Sequence, residues 1–198
     1  MKLLAQGAEA HIIRNKNIII KKRIAKGYRF PQLDKKIRRQ RTRKEAKILD
    51  KALKIIPVPK LLSQRENEIE IEYLSGKKLS DFLNSLKNRN KICRQIGGNI
   101  SKLHDANIIH GDLTTSNMIL KDNLVYFIDF GLSFESQKTE DKAVDMHLIK
   151  EALEAKHFSN SRELFSYILK GYKKSPNASS VLKRLEIVEK RGRYKQAY

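Results

Sequence analysis

The chain has a single cysteine, Cys93, among its 198 residues. That leaves no disulfide framework and no cysteine-based zinc site. No apolar run approaches the roughly 18 residues of a membrane-spanning helix. The opening Met1-Lys2-Leu3-Leu4-Ala5-Gln6-Gly7 passes straight into charged sequence, without the apolar core of a secretory signal. The expected setting is cytoplasmic, with no membrane partner. Acidic residues are also few: 22 against 42 basic ones, for a formal charge of +20. Such a field favours RNA, another polyanion or an acidic protein surface. What is present, 40% apolar residues with seven Tyr and seven Phe, suits a globular chain. Its length fits one compact domain or two small lobes around a cleft. No internal repeat or low-complexity linker divides it.

The most informative stretch is Ile109-His110-Gly111-Asp112-Leu113-Thr114-Thr115-Ser116-Asn117, followed by Asp129-Phe130-Gly131 twelve residues after Asn117. Protein kinases use this arrangement to handle ATP. Mg²⁺ is a hard cation that takes oxygen ligands, and Asp129 and Asn117 supply them. A separate carboxylate, Asp112, is then available to orient an acceptor hydroxyl or water. An isolated Asp-Phe-Gly is a common turn and carries little weight. The two motifs together, each ending an apolar run, carry much more.

Secondary-structure signals surround these motifs. Residues 3–5 and 10–14 are expected to pair across Gln6-Gly7-Ala8-Glu9, with a third strand over 17–24. A long helix is expected from Asp34, read as its N-cap, to Leu53, with Ile37, Ala46, Ile48, Leu49, Ala52 and Leu53 as its apolar stripe. Strands follow near 58–62 and 68–73, and Ser75-Gly76 is the candidate hinge. Helices are expected over 79–86, 91–104, 142–155, 162–170 and 178–190, with Gly171 as a C-cap. A hairpin of 118–120 with 125–128, turning at Asp122-Asn123, delivers Asp129. The implied fold class is α+β, a reduced protein-kinase-like bilobal fold. Residues 1–74 form a small N-terminal lobe with an antiparallel sheet and one long helix. Residues 75–190 form a mainly helical C-terminal lobe, and 191–198 a basic tail.

The site residues follow from position. Lys21 and Lys22 end the Ile18-Ile19-Ile20 run, and strand alternation lets only one of them face the cleft. Glu45, on the apolar half of the long helix, is the candidate partner for that lysine. Gly7 stands where a glycine-rich phosphate loop belongs, but one glycine makes a weak signal. His110 is read as shaping its loop, not as a base. Thr114, Thr115 and Ser116 are candidate autophosphorylation acceptors, with backbone capping the plainer use of their hydroxyls. Only thirteen residues separate Gly131 from Asp145, and no Ala-Pro-Glu segment intervenes. The chain therefore has no extended activation segment to hold a peptide, and its cleft is expected to be open to water.

Lys21-Lys22-Arg23-Ile24-Ala25-Lys26-Gly27-Tyr28-Arg29-Phe30-Pro31, Arg41-Thr42-Arg43-Lys44-Glu45-Ala46, HGDLTTSN and DFGL together resemble the small atypical kinase subunit of the KEOPS complex, especially its archaeal form. The resemblance extends through Glu140-Asp141-Lys142-Ala143-Val144-Asp145 to Arg191-Gly192-Arg193, and Phe30 stands where that family usually has His. It selects Lys21 as the phosphate-neutralising lysine and makes Asp145 the helix residue that anchors the catalytic loop. It also implies ATP and Mg²⁺ as cofactors, and ATP hydrolysis with weak Ser/Thr kinase activity. The activity would support threonylcarbamoyl modification of tRNA adenosine 37. The implied partners are the universal threonylcarbamoyl-transferase subunit and a small regulatory subunit.

The resemblance also implies tRNA as a partner, and the charge runs offer it a surface, their plainer reading being a solvated basic face. Seven of the ten residues from Lys35 to Lys44 are basic, and the C-terminal end adds Lys183, Arg184, Lys190, Arg191, Arg193 and Lys195 beside Tyr194 and Tyr198. A RIO-type protein kinase, a small-molecule phosphotransferase and a noncatalytic RNA-binding module are the alternatives. Lys26–Pro31 weighs against the first, and the short sequence after Asp145 against the second. The third predicts tRNA binding that survives loss of Asp129.

Overall fold

The computed structural model describes residues 1–195, with side chains through Arg191. The side chains of Arg193, Tyr194 and Lys195, and all of Tyr198, lie outside the described residues. Strands rich in Ile and Leu build the first layer, with the strictest alternation in Glu68-Ile69-Glu70-Ile71-Glu72. β1 (Lys2–Gln6), β2 (Ala10–Asn15) and β3 (Ile18–Arg23) form a meander, which β4 (Leu61–Gln64) and β5 (Glu68–Glu72) complete. All pairs are antiparallel, in the order β1-β2-β3-β5-β4, with Lys21 between Ile12 and Ile69.

α1 (Pro31–Leu53) lies between β3 and β4 in the chain. It begins at Pro31, three residues before the expected start, because the fixed φ of proline suits the first helical position. Asp34 is therefore in the first turn and is not the N-cap. Its carboxylate instead receives the Lys26 N–H at 3.3 Å and the Arg38 guanidinium at 2.7 Å. Those bonds, that of Arg38 foremost, hold its pKa below the ordinary value. Ile48, Leu49 and Ala52 are buried as expected, whereas Leu53 is exposed and Ile37 only partly covered.

The second layer is helical. β6 (Lys77–Lys78) leads into α2 (Leu79–Phe82), and a 3-10 turn at Leu83–Ser85 replaces the rest of the helix expected to 86. α3 (Arg89–Asp105), α4 (Thr139–Lys156), α5 (Ser161–Tyr172) and α6 (Ala178–Lys195) complete the helices. Two short strands, β7 (Ile108–Ile109) and β10 (Phe134–Glu135), pair with each other, and the hairpin β8 (Met118–Lys121) with β9 (Leu124–Phe127) pairs with β6. The hairpin turns as expected: Asp122 and Asn123 take φ of +52° and +60°, the pattern of a type I′ turn.

Gly171 is not a C-cap. It lies within α5, where an added Cβ would fall 2.1 Å from the Arg94 carbonyl oxygen of α3, while one on Gly97 would fall 1.9 Å from that of Ile168. Each glycine lets the facing backbone approach, and α3 and α5 cross there. One buried cluster joins Ile48, Leu49 and Ala52 of α1 to Ile92, Ile96 and Ile100 of α3 and Met146 and Ile149 of α4. The C-terminal half of α1 thus packs into the same core as the helical layer, which fixes Glu45 relative to the catalytic loop. Strand β4 begins at Leu61, later than expected, because Val58 is drawn into this core.

Candidate active site

Lys21 and Arg23 share one face of β3, and Lys22 points outward to solvent. The Lys21 ammonium lies 2.7 Å from Glu45 Oε1 and 2.5 Å from Asp129 Oδ1. Burial works to lower the Lys21 pKa, but the two carboxylates outweigh it and leave it raised. Asp129 shows the mirror image: burial favours its neutral form, yet Lys21 holds its carboxyl below the ordinary value. The backbone of Asp129 takes a φ of +63°, and its Oδ1 also accepts the Gly131 N–H at 3.2 Å. Arg23 was not foreseen as a site residue. Its guanidinium donates to Glu45 Oε2 at 2.5 Å, and both side chains are buried. The period-2 alternation that separated Lys21 from Lys22 was the signal that could have found it.

The catalytic loop is suspended from α4. Asp145 accepts the backbone N–H groups of His110 and Gly111, both at 2.9 Å. Gly111 has φ +77°, and a Cβ there would lie 2.7 Å from the Leu132 carbonyl oxygen. The expected anchor is therefore in place, and it has a support that sequence reasoning missed. His104 Nε2 meets Asp145 at 3.1 Å, and His104 Nδ1 meets the Tyr172 hydroxyl at 2.9 Å. These residues come from α3, α4 and α5, and no local pattern links them. Burial pushes the Tyr172 phenol up, so its hydroxyl keeps its proton.

His110 shapes the loop. Its Nε2 faces the Ile128 carbonyl at 3.2 Å, and its Nδ1 accepts the Asp112 N–H at 3.3 Å. Its ring packs on Phe130, with centroids 4.8 Å apart. Burial lowers its pKa despite nearby carboxylates, which suits a neutral imidazole in this two-bond arrangement. Asn117 Nδ2 donates to the Asp112 carbonyl at 3.0 Å and to its Oδ2 at 2.8 Å. Thr115 is buried and bonds His157 Nε2 at 3.0 Å. It is removed from the candidate acceptors, and its hydroxyl caps a side chain, not the backbone. Ser116 is exposed.

Gly7, Lys21, Glu45, Asp112, Asn117 and Asp129 all line one cleft of about 720 Å³ between the sheet and the helical layer. Ile12, Ile19, Leu74, Ile119 and Ile128 give it apolar walls. The Gly7 N–H is engaged by the Ala10 carbonyl at 3.0 Å, closing a tight turn. Lys26 bonds the Ala8 carbonyl, and Arg41 pairs with Glu9 at 2.7 Å. The segment after Gly131 is short and pinned. Ser133 Oγ donates to the His110 carbonyl at 2.7 Å, β10 pairs with β7, and the Ser136 N–H donates to the Asn107 carbonyl at 2.9 Å. No helix among the described residues is long and apolar enough to cross a membrane.

A five-stranded sheet, one long helix and a helical layer around this cleft define a reduced protein-kinase fold. Residues 11–156 match the RIO domain family. The complex of Rio2 kinase from Chaetomium thermophilum with ADP/Mg²⁺ and phosphoaspartate superposes with a TM-score of 0.65 at 14% identity. The match covers 96% of this chain and 70% of that one, and it shows the fold alone. The KEOPS complex subunit Bud32 of Pyrococcus abyssi is 39% identical, over 99% of this chain and 97% of the relative. The EKC/KEOPS complex subunit BUD32 of Encephalitozoon cuniculi is 42% identical, over 97% and 95%. A probable bifunctional tRNA threonylcarbamoyladenosine biosynthesis protein of Methanosphaera stadtmanae is 40% identical over 96% of this chain, which spans 36% of that protein. The chain belongs to the Bud32 family of KEOPS complex subunits. The RIO domain match shows that the domain type set aside on Lys26–Pro31 is shared, and the full-length relatives carry the finer assignment.

Proposed function

We propose that this protein is an atypical, Mg²⁺-dependent ATPase and serine/threonine kinase that serves as a KEOPS subunit in the cytoplasm. There it supports threonylcarbamoyladenosine modification of tRNA adenosine 37 by a partner transferase subunit. The observation that carries the reading is the convergence of Lys21, Glu45 and Asp129 opposite Asp112 and Asn117 in one cleft. Membership of the Bud32 family, whose relatives are named as KEOPS subunits and tRNA-modification proteins, supports the biological setting.

In this reading residues 1–74 and 75–190 are the two lobes and 191–198 the basic tail. Lys21 neutralises nucleotide phosphate, Glu45 steadies Lys21, and the Gly7 turn covers the phosphates. The donor set suits Mg²⁺. Asn117 turns its amide nitrogen to Asp112, which leaves its carbonyl oxygen for the cation, and Asp129 offers an ionised carboxylate. Bound Mg²⁺ would offset phosphate charge. Asp112 orients the attacking hydroxyl or water through its carboxylate, which Asn117 holds in place. The pinned segment after Gly131 leaves little backbone to clamp a peptide, which favours water, the protein itself or a bound partner as acceptor. Arg184 and Arg191 of the basic C-terminal region pair with Glu140 on α4. Lys36, Arg39 and Arg43 lie on one exposed face of α1, at spacings of three and four residues, and are the proposed tRNA contacts. The transferase subunit and a small regulatory subunit are the proposed protein partners.

The test is ATP hydrolysis with γ-labelled nucleotide and Mg²⁺, comparing wild type with Asp129→Ala while adding the transferase subunit and tRNA in turn. Turnover that rises with tRNA, vanishes in the variant and leaves little label on protein is the expected result. Label that accumulates on protein in an Asp129-dependent way, with no response to tRNA, would replace the ATPase reading with protein kinase activity.

A further inference from the structure

Glu45 is held by two cations where one would orient it. Lys21 takes Oε1 at 2.7 Å and Arg23 takes Oε2 at 2.5 Å. Arg23 is only 5% exposed, and its own backbone is fixed at the β4–β5 turn. Its N–H donates to the Asn67 carbonyl at 2.8 Å, and its carbonyl accepts from Asn67 Nδ2 at 3.5 Å. A Cβ built on Gly131 would lie 3.1 Å from Lys21 Nζ and 3.5 Å from Arg23 Nη2, so both cations reach the backbone that follows Asp129.

Lys21 also bonds Asp129 Oδ1 at 2.5 Å. A phosphate group entering the cleft must therefore draw Lys21 away from a carboxylate. Were Lys21 the only cation beside Glu45 and Asp129, it would face two buried or half-buried anions and be held more tightly. Arg23 changes that balance. It satisfies half of Glu45 independently and brings the four groups to two positive and two negative charges.

We infer that Arg23 is a positioning residue of the nucleotide site. It locks Glu45 through its own ion pair, so that Lys21 can exchange Asp129 for phosphate without leaving Glu45 loose and negatively charged. This inference rests on the nucleotide-site reading above. A purely structural Arg23 would neutralise a buried carboxylate and do nothing more.

The experiment measures Mg²⁺–ATP affinity of the full chain by titration, with thermal melting alongside. Arg23→Gln is expected to weaken binding about tenfold, and Arg23→Lys, which keeps the charge, to stay within about threefold of wild type. Because Arg23→Gln leaves Lys21 as the only cation on Glu45, Glu45→Gln and the variant carrying both Arg23→Gln and Glu45→Gln complete a cycle that removes the buried charge and stands even where the single Arg23 variant does not fold. Arg23 acts through Glu45, so the double variant is expected to bind as weakly as Glu45→Gln alone. Wild-type affinity in folded Arg23→Gln, or a further loss when Arg23→Gln is added to Glu45→Gln, would overturn the inference and leave the nucleotide site intact. Absence of Mg²⁺–ATP binding in the wild-type chain would instead overturn the nucleotide-site reading, and this inference with it.

Discussion

Asp129 and Asp145 bracket the same short segment, and the protein holds them by opposite means. The Asp129 side chain is 44% exposed and rests on a lysine ammonium, with one backbone N–H in support. Asp145 is 1% exposed and is met by two backbone N–H groups and a histidine, which is itself met by a buried phenol. An ion pair at a cleft wall can be exchanged for a ligand, because phosphate or a cation can replace either partner. A buried carboxylate with its lone pairs filled by backbone donors has nothing to exchange with and serves as a fixed point. The half of the site that must respond to a ligand is thus built from charge at a surface. The half that must stay still is built from buried hydrogen bonds.

The largest expected effects break this comparison from its two sides. Asp145→Ala strips two buried N–H groups and His104 of their acceptor, and should cost about 3–5 kcal/mol of stability. Asp129→Ala leaves Lys21 paired with Glu45 and should change stability by less than about 1 kcal/mol. The same variant should cut ATP turnover by about 10²–10³-fold or more. Urea denaturation and labelled-ATP turnover on the two variants separate the cases. Equal stability losses would show that the two anchors do not differ as described.

Gly171→Ala tests the crossing that supports the fixed side. The new methyl would fall 2.1 Å from the Arg94 carbonyl oxygen, so α3 and α5 must part. A loss of about 1–3 kcal/mol is expected, read as a lower melting temperature. Gly171 also marks the limit of what the sequence disclosed. A glycine near the end of an apolar periodic stretch reads as a C-cap, because capping is a local property. Its actual use depends on which helix lies opposite, and no local pattern encodes that. The same holds for His104 and Tyr172, which are 68 residues apart in the chain and 2.9 Å apart in space. By contrast, the strand alternation around Lys21, the Asp122-Asn123 turn and the motifs carrying Asp112, Asn117 and Asp129 were legible because each is set by short-range geometry. Arg23 falls two positions beyond Lys21, so the same alternation carries it to the cleft face.

Tyr172→Phe is a gentler version of the same test. It removes only the hydroxyl facing His104 Nδ1 and leaves a buried ring nitrogen without its partner. A cost of about 1–2 kcal/mol is expected. Turnover should fall less than in any Asp129 variant, since Asp145 keeps both backbone N–H groups. If Tyr172→Phe is neutral in melting experiments, the support for Asp145 ends at His104.

Proton linkage sharpens the comparison with the smallest effect. Burial depresses the pKa of His110, and burial together with Lys156 depresses that of His157. In the unfolded chain both titrate near the ordinary histidine value of 6.5. Below that value the unfolded state binds protons that the folded state refuses, so stability is full above it and is lost as pH falls. Moving from about pH 7.5 to about 5.5 should therefore cost roughly 1–2 kcal/mol. The ion pair behaves differently over that interval. The lowered Asp129 contributes stability above its unfolded pKa of 3.8 and loses it only as pH falls through the folded value. The raised Lys21 contributes below its unfolded 10.5 and loses it only as pH rises through the folded value. Neither edge lies between pH 5.5 and 7.5. Denaturation at the two pH values should thus show a slope that His110→Gln reduces and Lys21→Met leaves unchanged. A slope that disappeared in Lys21→Met would mean that the exchangeable ion pair, and not the neutral histidines beside the catalytic loop, carries the pH response.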